Sequence, residues 1–166
     1  SLNTGTETLN GALFLTQSGQ NMLIFPKSTN KSEIEIPKSE ILSCSLYLRY
    51  MFIASLNSGS NGNCYYIGSE HEAVLVDAGI SCRETERRML RLVLSMRKVK
   101  AIFVSHEHSD HISGIPVLAK KYQLPVYITP PTLQTGGLNI EEHLVKPFVA
   151  FQTISIGVLQ VVTFPK

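Results

Sequence analysis

The sequence predicts an α/β fold from Met51 onward, preceded by a short β-rich extension over residues 1–50. The first sign is a pair of almost wholly apolar runs, Ala73–Val76 and Ala101–Val104, which read as strands buried on both faces. The second is the helix-like stretch that follows each of them, Ser81–Arg97 and Ile112–Tyr122. Strands alternating with helices are the pattern of a parallel sheet. The third is the change of character before Met51, where short hairpin-like runs replace that rhythm. With 43% hydrophobic and 17% charged residues, the 166-residue chain has the balance of a globular protein with a core of ordinary size.

Taken in order, Gly11–Leu15 and Asn21–Phe25 flank the polar Thr16–Gln20, as the arms of a hairpin would, and Pro26 closes the second arm. Glu33–Pro37 alternates polar and apolar residues and reads as a strand with one buried face. A solitary unit of this kind cannot bury its own apolar face, so it should lean on something else or stay poorly ordered. Its plain reading is a β-rich extension with no role of its own.

Phe52–Leu56 is the expected first strand of the second region, and the Gly/Ser/Asn run at 57–63 a tight loop whose glycines allow close backbone approach to a ligand. Cys64–Ile67 returns as a strand, and His71 sits in the turn Ser69–Glu72 as a surface residue. Ala73–Val76 leads into Asp77, which reads from position alone as an N-cap for the next helix. In that helix Leu90, Val93 and Leu94 lie on one side and Arg83, Arg87 and Arg91 on another. Such a stripe could track phosphates, but Glu84 and Glu86 dilute it and a solvated face is the commoner explanation. After the Ala101–Val104 strand and helix 112–122, Leu124–Ile128 is a further strand that Thr129–Thr132 stops. Residues 131–147 are the least readable part, with a Gly136-Gly137 break and a surface His143, and 148–154 and 157–164 read as two last strands joined by a short turn.

The chemistry concentrates in Ser105–Gly114, where His106, His108, Asp110 and His111 fall directly behind a buried strand. Open α/β sheets keep their ligands at that edge. In an extended or turning backbone His106 and His108 project to one side, while Asp110 and His111, at the start of the helix, turn toward a second point. A lone loop histidine is ordinarily solvated, but imidazole nitrogens with a hard oxygen at this spacing suit divalent Zn or Mn, and two pairs suit two ions.

Composition narrows the classes further. A net charge of +2 argues for no particular partner. Cys44, Cys64 and Cys82 form no CxxC pair, which points away from a disulfide framework or a cysteine zinc site and toward a reducing, cytoplasmic setting. The most apolar stretch, Ile41–Leu56, is broken by Arg49 and several serines, and no basic leader precedes it, so membrane insertion is not expected.

His106-x-His108-x-Asp110-His111 resembles the signature of the metallo-β-lactamase-fold hydrolases, in which the first two histidines serve one metal and the Asp-His pair the other. Ser58–Cys64 and Val74–Gly79, in this order and at these separations, are similar to the WalJ (YycJ) branch, whose members resemble nucleases acting on DNA ends. The resemblance implies the N-terminal half of an αββα sandwich over residues 51–166. It also implies an Asp77 that supports the histidine loop by hydrogen bonding without binding metal, and an Asp110 that orients the nucleophile as well as binding metal. The complete protein is then a metal-dependent hydrolase cleaving DNA phosphodiesters with two divalent ions. In such relatives further ligands follow a segment like Val161–Lys166. This chain is therefore expected to hold metal weakly, to be inactive, and to self-associate through an unpaired sheet face. Two rivals stay open: hydrolysis of a small thioester, lactam or lactone, and a non-catalytic piece. The second gains from residues 1–50, which resemble one unit of the leucine-rich BspA-like surface repeats, while Met51 could stand as an independent start.

Overall fold

The computed structural model describes residues 6–9, 12–17, 20–26 and 51–164. Its centre is a six-stranded sheet of β4 (Phe52–Asn57), β5 (Cys64–Gly68), β6 (Ala73–Val76), β7 (Val99–Phe103), β8 (Val126–Ile128) and β9 (Val145–Pro147), in that order. The first three strands pair antiparallel and the rest parallel. β6 lies between β5 and β7, and all of its residues are buried, as its unbroken apolar run predicts.

Because side chains alternate across a strand, each central strand feeds two cores. Tyr66, Leu75 and Ile102 meet a helical layer built by Met89 of α1 (Cys82–Arg91) and by Ile115, Leu118 and Ala119 of α3 (Ile115–Tyr122). Ile67, Val74, Val76 and Phe103 face the other way. There they pack on a second, antiparallel sheet ordered β1 (Thr6–Leu9), β2 (Ala12–Gln17), β3 (Gln20–Pro26), β11 (Leu159–Phe164), β10 (Thr153–Ile156). The result is a helix–sheet–sheet stack, which is three of the four layers of an αββα sandwich.

The second sheet departs from expectation. The two arms, 12–17 and 20–26, pair antiparallel as their pattern predicts, and β3 lies along β11 with Ile24 opposite Val161 and Met22 opposite Thr163. Met22 and Ile24 are buried among Ile154, Ile156, Leu159 and Val161. The inner face of the central sheet, expected to be open, is thus covered, partly by the extension itself. The run 33–37, Cys44 and most of Ile41–Leu56 lie outside the described residues.

Three local corrections concern helices. α1 ends at Arg91, and its buried stripe is Cys82, Thr85 and Met89, whereas Leu90 and Val93 are 78% and 92% exposed. The cause is the exit from the helix: Val93 takes a left-handed φ of 57° and Leu94 N–H donates to Met89 O, so Leu94 alone of the expected face swings back to the core. The predicted helix 112–122 is split into α2 (Ser109–Ile112) and α3. Gly114 N–H donates to Ala78 O between them, and a Cβ on Gly114 would lie 1.9 Å from Ile80 O. Finally, the stretch that is least readable in sequence opens with α4 (Pro130–Gly136), capped by Thr129, which accepts from Thr132 N–H. Two prolines in a first turn and a left-handed Gly137 after the last are the ordinary marks of a helix, legible in the sequence and missed.

Candidate metal centre

β7 ends at Phe103 and hands the chain to Ser105 and His106, both buried, at the carboxyl edge of the parallel strands. His108 follows in the open, then α2 brings Asp110, partly exposed, and His111, 4% exposed. All four expected donors therefore sit on one edge. The His106 ring lies 3.7 Å from that of His111 and 4.7 Å from that of His108, centre to centre, and His111 Nε2 is 3.4 Å from Asp110 Oδ2. Among the described residues no three histidine, cysteine or carboxylate side chains converge as ligands on one point.

The organising group beneath them is Asp77. It follows β6 with a left-handed φ of 60°, a conformation that aspartate tolerates better than most residues, and it is fully buried. Oδ1 accepts from Ser105 N–H at 2.8 Å; Oδ2 accepts from Ser105 Oγ and His111 Nδ1, both at 2.7 Å. Asp77 does not cap α1, because Ser81 does so by accepting from Glu84 N–H. With its proton given to Asp77, Ser105 Oγ accepts from His106 Nδ1 at 2.9 Å. One buried carboxylate thus orders both rings: each keeps its hydrogen on Nδ1, which leaves Nε2 as the acceptor atom. Burial, reinforced by the neighbouring His111, pushes the His106 pKa below its usual value.

The Gly/Ser/Asn loop does approach closely, but what it meets is the donor loop. Asn63 N–H donates to Asp110 O at 2.6 Å, and Gly79 N–H donates to Asn63 O. A Cβ on Gly79 would fall 1.7 Å from Asp110 O, and one on Gly62, at φ 122°, would strike Ile80 and Gly79. The three sequence motifs are therefore laced together by main chain, which holds α2 where it is.

Asn63 itself was not singled out by sequence reasoning. It is 4% exposed, and its Nδ2 lies 3.0 Å from both Asp110 Oδ2 and His111 Nε2. Two lone pairs aimed at one N–H are two lone pairs aimed at one centre of positive charge, so the donor set suits a cation there. The expected surface histidines stay apart: His71 is exposed in its turn, and His143 lies beside Gln123 and Glu141. The stripe of Arg83, Arg87 and Arg91 is exposed, and Glu84 pairs with Arg87 at 2.6 Å.

A stacked helical layer, mixed sheet and antiparallel sheet, with a His-x-His-x-Asp-His loop at the carboxyl edge of the parallel strands, defines a class of α/β sandwich. The chain belongs to the metallo-beta-lactamase superfamily, whose pattern matches residues 58–159. Within it, the chain is 43% identical over 109 residues to exodeoxyribonuclease YycJ of Bacillus anthracis, covering 66% of this chain and 39% of that one. It is 39% identical over 79 residues to exodeoxyribonuclease WalJ of Streptococcus pneumoniae, covering 48% and 29%. The likeness to the WalJ (YycJ) branch read from three motifs is borne out, although the chain spans well under half the length of these relatives. A B3 metallo-beta-lactamase with an active-site glutamic acid superposes with a TM-score of 0.55 at 14% identity, over 66% of this chain and 47% of that one. At that identity the match speaks for the fold alone. The superfamily pattern carries divalent metal binding with it. No helix among the described residues is long and apolar enough to cross a membrane.

Proposed function

We propose that the complete protein is a metal-dependent nuclease that hydrolyses DNA phosphodiester bonds, as its relatives' names suggest for them. The observation that supports this reading is the Asp77–Ser105 network, which engages the Nδ1 atoms of His106 and His111 and so leaves their Nε2 atoms to act as ligands beside the Asp110 carboxylate. His106 and His108 would hold one cation, Asp110 and His111 the other. When bound, divalent ions such as Zn or Mn supply a water of lowered pKa and positive charge against the scissile phosphate. Asp110, at the solvent side of the pair, would accept a hydrogen bond from the attacking water and so aim it, while Asp77 keeps the rings from turning. The loop offers two donors per ion where about three are usual, so this chain by itself should hold metal loosely.

Residues 1–50 would be an extension added to the domain at 51–166, its strands enlarging the second sheet, and the protein would act in the cytoplasm. Self-association through a bare sheet face is not part of this reading, since Met22 and Ile24 help to cover that face.

The full-length gene product should digest linear double-stranded DNA with Mn or Zn, and lose this with a chelator. His108→Ala or Asp110→Ala should lower the rate by about 100-fold or more. Undiminished digestion in both variants would refute the site. Cleavage of small esters with none of DNA would move the protein to the rival hydrolase class.

A further inference from the structure

Asn63 does something that the proposed chemistry does not use. Its amide is pinned in one orientation: Oδ1 accepts from Gly59 N–H at 3.0 Å and Nδ2 donates to Gly59 O at 3.2 Å. Turning the amide over would set oxygen against oxygen and N–H against N–H, so the donor end is locked toward the site. From there Nδ2 reaches Asp110 Oδ2 and His111 Nε2, each at 3.0 Å. The His111 ring gives its Nδ1 hydrogen to Asp77, so Nε2 is the acceptor of that contact.

An imidazole Nε2 has a single lone pair, and it can be given to an N–H or to a cation, not to both. We propose that Asn63 is a positioning residue that stands in for the cation of the Asp110–His111 pair. Its N–H gathers the two acceptors onto one point and competes with an incoming ion for that point. The inference rests on the reading of Asp110 and His111 as metal ligands. It adds a built-in brake on that site: the ion must first dislodge an amide held by Gly59.

Removing the amide leaves the geometry largely in place, because His111 is still held by Asp77 and the main chain at Asp110 is still held by Asn63 N–H, which alanine retains. Asn63→Ala should therefore bind Mn or Zn more tightly, by about fivefold for the loss of one competing hydrogen bond. Asn63→Asp still accepts from Gly59 N–H but offers the ion a charged oxygen in place of a donor, and should tighten binding by about tenfold or more. Both are measured by titrating the 166-residue protein with the metal alone in competition with a chromophoric chelator. In the unsubstituted protein, adding Mn-free Zn should shift the Asn63 side-chain amide resonance, and His111→Ala should shift it without metal.

Equal or weaker binding in both Asn63 variants overturns this inference and leaves the metal site standing. If Asn63→Ala does not fold, Asn63→Asp and the amide resonance decide. Absence of cation binding in the unsubstituted protein and in both variants overturns the inference together with the reading beneath it.

Discussion

Asp77 shows how much one buried side chain can carry. It accepts from the N–H and hydroxyl of Ser105 and from Nδ1 of His111, both residues buried. Asp77→Ala strips all three of this acceptor and puts a residue less tolerant of positive φ at 60°. A buried donor that loses its acceptor costs about 1–3 kcal/mol, so the variant should lose at least about 1 kcal/mol of stability. Urea unfolding followed by circular dichroism would check this, and a midpoint equal to that of the parent would contradict the network. At this scale the sequence was partly legible. The donor residues stood out by type and spacing, whereas Asn63 did not, because an asparagine in a Gly/Ser/Asn run is an ordinary loop residue until the chain folds it against residues 47 and 48 positions away.

At the scale of elements, the strands of the core were read more securely than the helices, although the strand expected over 148–154 begins only at Thr153 and an unexpected one, Val145–Pro147, precedes it. β6 matches its predicted span because a strand buried on both faces needs every residue apolar, which composition displays directly. α1 ran too long in prediction, since charged residues suit a helix and a surface turn alike and nothing marks Arg91 as the end. What fixes α1 laterally is Glu86, which accepts from Lys121 Nζ at 2.6 Å and from Tyr122 Oη at 2.8 Å on α3. The Lys121 hydrogen bond, then those of Tyr122 and Cys82, hold the Glu86 carboxyl down at about 2, against 4.5 when free. A depressed carboxylate contributes stability that is present above its free pKa and fades as pH falls toward the folded one. Glu86→Gln should therefore be less stable than the parent near neutrality, with the gap closing between pH 4.5 and about 2. Parallel acid titrations of the two proteins by circular dichroism would show it; a gap independent of pH would assign Glu86 a packing role instead.

At the scale of the whole molecule, the second sheet is the least expected feature. The extension's hairpin could not bury its own apolar face, and the structure supplies the missing surface by adding β3 to the edge of β11. Ile24 is 0% exposed in that core. Ile24→Ala should cost about 2–4 kcal/mol in urea unfolding, as other buried aliphatic truncations do; no loss would mean that the hairpin contributes nothing to the domain. Metal content belongs to this scale as well. With two donors per ion in its loop, the 166-residue chain should keep well under about two equivalents of Mn or Zn after dialysis, measured by elemental analysis. Two firmly held ions would mean that other groups complete the centre.

By itself the sequence determined which segments had to be buried, and that a dense set of nitrogen and oxygen donors follows a central strand. Residue type and period are local properties, and they survive in any fold that keeps those segments as strands. Only the tertiary structure decided what covers the second face of the sheet, which carboxylate orders the imidazoles, and that Asn63 confronts Asp110 and His111. Each of those depends on where distant stretches of backbone cross, and the crossing at Gly79 is close enough to exclude a Cβ. No local pattern encodes a meeting of that kind.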